Sequence, residues 1–251
     1  MEYEANRRVE ASVRTFAIVE HLSRVDAAGV SALAAELDMS KGIVHNHLST
    51  LRELGYVTKV GESYRLSPKL LAVGIRGRSN APLYRFATDL VDTFTDQFDV
   101  GVVVCQRAGG DCIVIDARGA PRTVDIDVGT VLPLYESLVG LTMAIEDATI
   151  EVDSVDQYDV DSVRRSLERT GYALDRLSTT LAPDCIAVPV LDGDGTTRGC
   201  IGVVLPDALG NRRRHRIGEA AISLRERIED RFDGGWTDER SFATEKHAWI
   251  D

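Results

Sequence analysis

The stretch Ser31-Ala32-Leu33-Ala34-Ala35-Glu36-Leu37-Asp38-Met39-Ser40-Lys41-Gly42-Ile43-Val44-His45-Asn46-His47-Leu48-Ser49-Thr50-Leu51-Arg52-Glu53-Leu54-Gly55 decides the fold. Leu33, Ala34 and Leu37 recur at helical spacing behind Ser31, whose hydroxyl can cap a short helix, and Asp38-Met39-Ser40 makes a brief polar turn. From Lys41 to Leu54 the helical period returns, and Gly55 supplies the stop. Upstream, Val13, Phe16, Ala17, Ile18 and Leu22 mark an amphipathic helix over residues 10–24, closed by an Ala27-Ala28-Gly29 turn. Downstream, Tyr56–Val60 and Tyr64–Leu66 read as strands around Gly61-Glu62-Ser63, a small hairpin. Three helices and a hairpin predict a winged helix-turn-helix over residues 9–67.

The helix from Lys41 has two chemically different faces. At about 100° per residue, Ile43, Val44, Leu48, Leu51 and Leu54 share one arc, and His47 falls among them, so His47 is expected to pack. The opposite arc collects Lys41, Gly42, His45, Asn46, Ser49, Arg52 and Glu53, small or polar groups suited to base edges in a major groove. Net charge of −11 argues against nucleic acid until it is divided: residues 7–78 carry +4 and the rest −15. Residues 40–78 alone hold 7 basic side chains against 2 acidic ones, the local excess that phosphates require. DNA binding is therefore expected of this part.

Ser67-Pro68 is a helix start and opens Lys69–Gly74, a linker helix assigned to residues 68–81 with Gly74–Pro82 as the boundary stretch. Leu83, Phe86, Ala87, Leu90, Val91, Phe94 and Phe98 then mark a long amphipathic helix. Val100–Arg107, Cys112–Ala117, Thr123–Val128, Ile186–Leu191 and Cys200–Leu205 read as strands, and Ser137–Ile145, Asp161–Arg169 and Arg212–Phe232 as helices. Hairpins with helices between and after them predict an α+β second domain over 82–232, an antiparallel sheet with flanking helices, followed by a tail, 233–251.

Composition excludes other classes. No apolar run approaches the roughly 20 residues of a membrane span, and the polar start Met1–Arg8 has no secretory pattern, so a cytoplasmic protein is expected. Cys105, Cys112, Cys185 and Cys200 sit beside apolar runs without Cys-x-x-Cys spacing and read as free buried thiols. The 5 histidines form neither a nucleophile–base pair nor a metal set, so no enzyme, cofactor or metal is expected, and Gly193-Asp194-Gly195 reads as a hairpin turn. A sensor that uses its winged helix only for dimerisation is disfavoured by the basic excess. Lys supplies only 4 of 29 basic residues and Asp 24 of 40 acids, a balance found in halophilic archaea, although a GC-rich genome also favours Arg.

Leu33–Lys41, His45, Leu48, Thr50-Leu51, Gly55-Tyr56-Val57 and Tyr64-Arg65-Leu66 resemble the IclR family of transcription regulators. The resemblance continues through Gly129, Pro133-Leu134, Ser137, Gly140, Gly171-Tyr172-Ala173, Cys185–Val190 and Gly199–Pro206. It implies operator binding to double-stranded DNA near catabolic genes, a GAF-like domain binding a small organic acid or sugar-derived metabolite, and a homodimer or homotetramer. By motif position, the DNA contacts are Lys41, Gly42, His45, Asn46, Ser49, Thr50 and Arg52, with Lys59, Tyr64 and Arg65 on the wing. The effector contacts are Leu134, Ser137, Leu138, Val139, Gly140 and Cys185. Gly42-Ile43 and Asn46 stand where the family often has Ser-Thr and Arg, which predicts a different operator. Tyr135, Leu141 and Leu177-Ser178 depart from its pocket pattern, which predicts a different ligand.

Overall fold

The computed structural model describes residues 6–119, 126–147, 150, 152, 155–156, 158–175, 184–206 and 209–235. The chain divides into two units, residues 1–78 and 79–251.

In the first unit, α1 (Glu10–Ser23), α2 (Val30–Glu36) and α3 (Lys41–Glu53) surround a core of Ile18, Leu22, Leu33, Val44, Leu48 and Leu51. Burying each of the larger side chains contributes about 1.5–3 kcal/mol. The expected hairpin is formed by β2 (Val57–Val60) and β3 (Ser63–Leu66), with Val60 opposite Ser63, so Ser63 belongs to the strand and the turn is Gly61-Glu62 alone. A third strand, β1 (Ala28–Gly29), pairs antiparallel with β3, where a turn was expected from sequence. That strand also displaces the expected cap: the chain leaves β1 extended, Gly29 occupies the N-cap position, and Ser31 lies inside α2. Gly55 has φ of 79°, the left-handed conformation that ends α3.

Ser67 does cap the next helix, accepting the Lys69 amide at 3.1 Å, but α4 (Lys69–Asn80) runs through the Gly74–Asn80 stretch. None of its residues is buried, and Leu71 and Val73 are exposed.

In the second unit α5 (Pro82–Phe98) ends at Asp99 and leads into the hairpin β4 (Gly101–Ala108) and β5 (Asp111–Arg118). There follow β6 (Val131–Pro133), α6 (Leu138–Glu146), α7 (Val160–Thr170), β7 (Ala173–Asp175), β8 (Cys185–Leu191), β9 (Thr197–Val204) and α8 (Asn211–Gly235). All pairings in the six-stranded sheet, ordered β6-β5-β4-β9-β8-β7, are antiparallel. The period of two along the strands divides two cores. Val102, Val104, Ile186, Val188, Ile201 and Val203 pack with α5 and α8; Val103, Cys105, Ala187 and Cys200 pack with α6 and α7. The α+β reading holds.

Two strands differ from the sequence reading. Residues 126–128 of the expected Thr123–Val128 strand are not extended pairing partners, and 123–125 lie outside the described residues. The edge strand is instead β6, which pairs with Asp111–Ile113, a long-range choice that short-range propensity does not encode. The other is β7, a three-residue strand too short for alternation to show. Of the expected tail, 233–235 are in α8, and 236–251 lie outside the described residues, as does Leu177-Ser178.

Candidate nucleic-acid interface and effector site

The position of α3 is fixed from its ends and its inner face. Ser40 caps it by accepting the Ile43 amide at 3.3 Å. Val44, Leu48 and Leu51 are buried, as the wheel requires, whereas Leu54 is at the C-cap, past the last helical residue, and is 52% exposed. His47 packs toward α1, its Nδ1 2.8 Å from the Thr15 hydroxyl, which is also 2.8 Å from the Ala11 carbonyl. A hydroxyl has one proton, so both contacts are met when Thr15 donates to Ala11 and accepts from His47 Nδ1–H. At the far end Lys69 Nζ donates to the Leu54 carbonyl at 2.8 Å and lies 4.7 Å from the centre of the Tyr56 ring. A cation there satisfies an orphan carbonyl and opposes the negative end of the helix dipole. Sequence reading missed Lys69 in this role, because fifteen residues separate it from the group it holds.

Lys41, Gly42, His45, Asn46, Ser49, Thr50 and Arg52 are all exposed on the outer face. Thr50 donates its hydroxyl proton back to Asn46 O at 3.1 Å, leaving its oxygen as an acceptor. Gly42 brings the backbone to the surface without a side chain: a Cβ there would meet only Ser40 Oγ, at 4.0 Å. On the wing Arg65 is exposed, and Lys59 reaches Glu62 at 3.9 Å. Tyr64 corrects the sequence reading. It is 5% exposed and belongs to the core, because its place in β3 between β1 and β2 turns the ring inward. Lys59 sits 5.9 Å from the ring centre.

The second group of candidate residues gathers at the start of α6. Ser137 caps this helix, accepting the Gly140 amide at 3.1 Å, and donates to Pro133 O at 3.3 Å. Leu134, Leu138, Val139 and Gly140 are buried; Ser137 and Cys185 are half-buried. Glycines make the close packing possible. A Cβ on Gly140 would lie 2.5 Å from the Leu134 carbonyl oxygen, and one on Gly202 would lie 2.8 Å from Val139 and 3.9 Å from Cys185 Sγ. Gly202 thus joins the helix to the Cys185 end of β8. A groove of about 200 Å³ between α5 and α8, lined by Leu90, Phe94, Leu224 and Arg227 among others, includes none of these residues.

The remaining candidates for chemistry are structural. Cys105, Cys112 and Cys200 are fully buried. A hydrogen bond with Cys112 and then burial push the Cys105 thiol far up, and burial does the same to Cys200, so both stay protonated and unreactive at neutral pH. Buried Asp116 pairs with Arg118 at 2.6 Å, and Arg118 also reaches Asp92 on α5 at 2.6 Å. Among the described residues no cluster of His, Cys, Asp and Glu has metal-binding geometry, and no helix is long and apolar enough to cross a membrane.

Residues 12–61 match the IclR helix-turn-helix domain, the segment that ends in the exposed face of α3 and the wing. The chain carries an IclR-type helix-turn-helix domain. It is 28% identical to the HTH-type transcriptional regulator KdgR of Escherichia coli over 221 residues, 79% of this chain and 82% of KdgR. An IclR transcriptional regulator from Alicyclobacillus acidocaldarius shares the fold with a TM-score of 0.74 at 16% identity, covering 89% of this chain and 99% of that one. An IclR homologue from Microbacterium hydrocarbonoxydans, in complex with 4-hydroxybenzoate, has a TM-score of 0.70 at 15% identity, again covering 89% and 99%. KdgR and the Alicyclobacillus protein are both described as transcriptional regulators.

Proposed function

We propose that this regulator controls catabolic genes by binding an operator through α3 and the wing, and that a small metabolite bound near the start of α6 modulates the binding. The observation that carries the reading is the outer face of α3. Lys41, His45, Asn46, Ser49, Thr50 and Arg52 are exposed together, while the opposite face is locked into the core. Lys59 and Arg65 supply phosphate contacts from the wing.

The effector is an organic acid or sugar-derived metabolite, received by Leu134, Ser137, Leu138, Val139, Gly140 and Cys185. Buried apolar walls with a capped helix start suit a small acid, and the 4-hydroxybenzoate bound by the Microbacterium homologue belongs to that class. The protein works as a homodimer or homotetramer in the cytoplasm of a halophilic archaeon. Exposed Val9 and Phe16 on the first helix segment, with Leu71 and Val73 on α4, support self-association. Domain limits of 9–67, 68–81 and 82–232 complete the proposal.

Arg52→Ala tests the DNA half. With a duplex selected from a random library, affinity is expected to fall on the order of tenfold or more, with thermal stability unchanged. Equal affinity in a gel-shift titration would remove Arg52 from the interface. The effector half is tested by thermal shift with a panel of organic and sugar acids, 4-hydroxybenzoate included. Stabilisation near 2.7 kcal/mol is expected at about one hundred times Kd.

A further inference from the structure

Residues 79–251 hold 31 Asp and Glu against 18 Lys and Arg, yet Arg212-Arg213-Arg214-His215-Arg216 puts 4 arginines into five positions at the start of α8. The structure separates this run into members held by side-chain partners and members turned to solvent. Arg214 pairs with Asp184, and His215 has Nδ1 2.8 Å from the Tyr172 hydroxyl and Nε2 3.4 Å from Glu219. Arg213 reaches the Phe98 carbonyl only at 3.5 Å and is otherwise exposed. Arg212 and Arg216 are exposed, one helical turn apart on one face, with no ion pair to another described residue.

Helix electrostatics oppose this arrangement. The N-terminal turn carries the positive end of the helix dipole and favours carboxylates, and like charges one turn apart repel. α7 follows that rule, with Asp159 as its cap and Asp161 in its first turn. α8 has no acid in its first turn, in a unit where acids are abundant. The stability of α8 therefore does not call for Arg212 and Arg216, and an external polyanion would. Local rules broken without an internal compensation mark function.

We propose that Arg212, Arg213 and Arg216 form a second, sequence-independent DNA contact that grips backbone phosphates. Duplex DNA fits better than an acidic protein on two grounds. Guanidinium groups bind phosphate oxygens in bidentate fashion, and the run carries no aliphatic or large aromatic anchor of the kind that dominates protein–protein contacts. DNA is moreover already this regulator's partner, so its phosphates are present at high local concentration. The inference rests on DNA binding by the first unit, and its test keeps the two apart.

The full-length protein and its R212Q/R216Q variant are titrated by fluorescence anisotropy, over a salt series, against mixed-sequence duplexes of about 20 and about 60 base pairs. On the long duplex the variant should bind on the order of tenfold more weakly, with a salt slope shallower by about 2, since each phosphate contact contributes about 0.9. On the short duplex, which offers fewer phosphates, the difference between the two proteins should be smaller. The thermal midpoint of the variant should equal or exceed that of the parent, because a cation in the first turn has been removed. Equal affinity and slope on the long duplex would overturn the proposal. So would weaker binding accompanied by a lower midpoint, or a change in mass by light scattering with the slope unchanged, which would identify a second copy as the partner. A parent protein that binds neither duplex would sink the DNA-binding reading as well.

Discussion

α3 and α6 are both capped by a serine, Ser40 and Ser137, and both carry candidate recognition residues, yet they present those residues in opposite ways. α3 buries Val44, Leu48 and Leu51 and exposes everything on its other side. α6 is buried continuously from Leu138 to Ala144, between the sheet and α7. The difference follows from what each has to bind. A groove edge is approached from outside, so the reading face and the packing face of α3 are separate sets of atoms. A small metabolite is enclosed, so on α6 the proposed binding atoms are also core atoms. Stability and recognition should therefore be separable in α3 and inseparable in α6.

Leu48→Ala makes the largest test on the α3 side. It removes a fully buried side chain from the small core and should cost about 2–5 kcal/mol, seen as early loss of the first unit in chemical denaturation. A loss below about 1 kcal/mol would mean that α3 is not held by this face. Gly140→Ala comes next. Its Cβ would sit 2.5 Å from the Leu134 carbonyl oxygen and 2.8 Å from Ser137 Oγ, and backbone there cannot yield cheaply. We expect a loss of about 1–3 kcal/mol together with loss of any ligand-induced thermal shift. Retained stability with lost ligand response would break the claim that the two coincide. Its counterpart Gly42→Ala has open space around the added methyl, so helix propensity should raise stability by up to about 1 kcal/mol while DNA affinity changes.

Acid supplies the smallest effect and contrasts the units as wholes. The Arg231 guanidinium, 2.6 and 2.8 Å from the two Asp89 oxygens, holds that carboxyl below its ordinary value. Burial would raise the Asp192 carboxyl, but hydrogen bonds from the Thr196 amide and from Arg198 outweigh it and leave it lowered. A carboxylate depressed in the folded state contributes stability above its unfolded value, and that contribution vanishes as pH falls through the folded one. Both groups lie in residues 79–251, so acid below about pH 4 should weaken the second unit. Arg231→Ala should cost under about 1 kcal/mol at neutral pH, since the pair is largely exposed, and the gap should close as the pH is lowered. A gap independent of pH, measured by thermal unfolding from about pH 7 to 3, would assign the effect to the bond from Arg231 to the Phe86 carbonyl instead.

Elements whose information is local were legible in advance. The helical period of α1, α3 and α5, the Gly61 hairpin and the serine before Pro68 all act over a few residues, and the structure places them close to the expected limits. Tyr64 was misread because a wing tyrosine and a core tyrosine share one local pattern. Only the pairing of β3 with β1 on one side and β2 on the other buries it.

The sequence by itself determined that a basic winged helix-turn-helix precedes an acidic α+β unit, and which face of α3 looks outward, because periodicity and charge are properties of short segments. Tertiary structure alone decided the strands β1, β6 and β7, the clamp from Lys69 to Leu54, and the meeting of Val139 with Cys185 across Gly202. Each depends on groups distant in the chain, whose encounter is settled by which apolar faces can be buried together and not by any local preference.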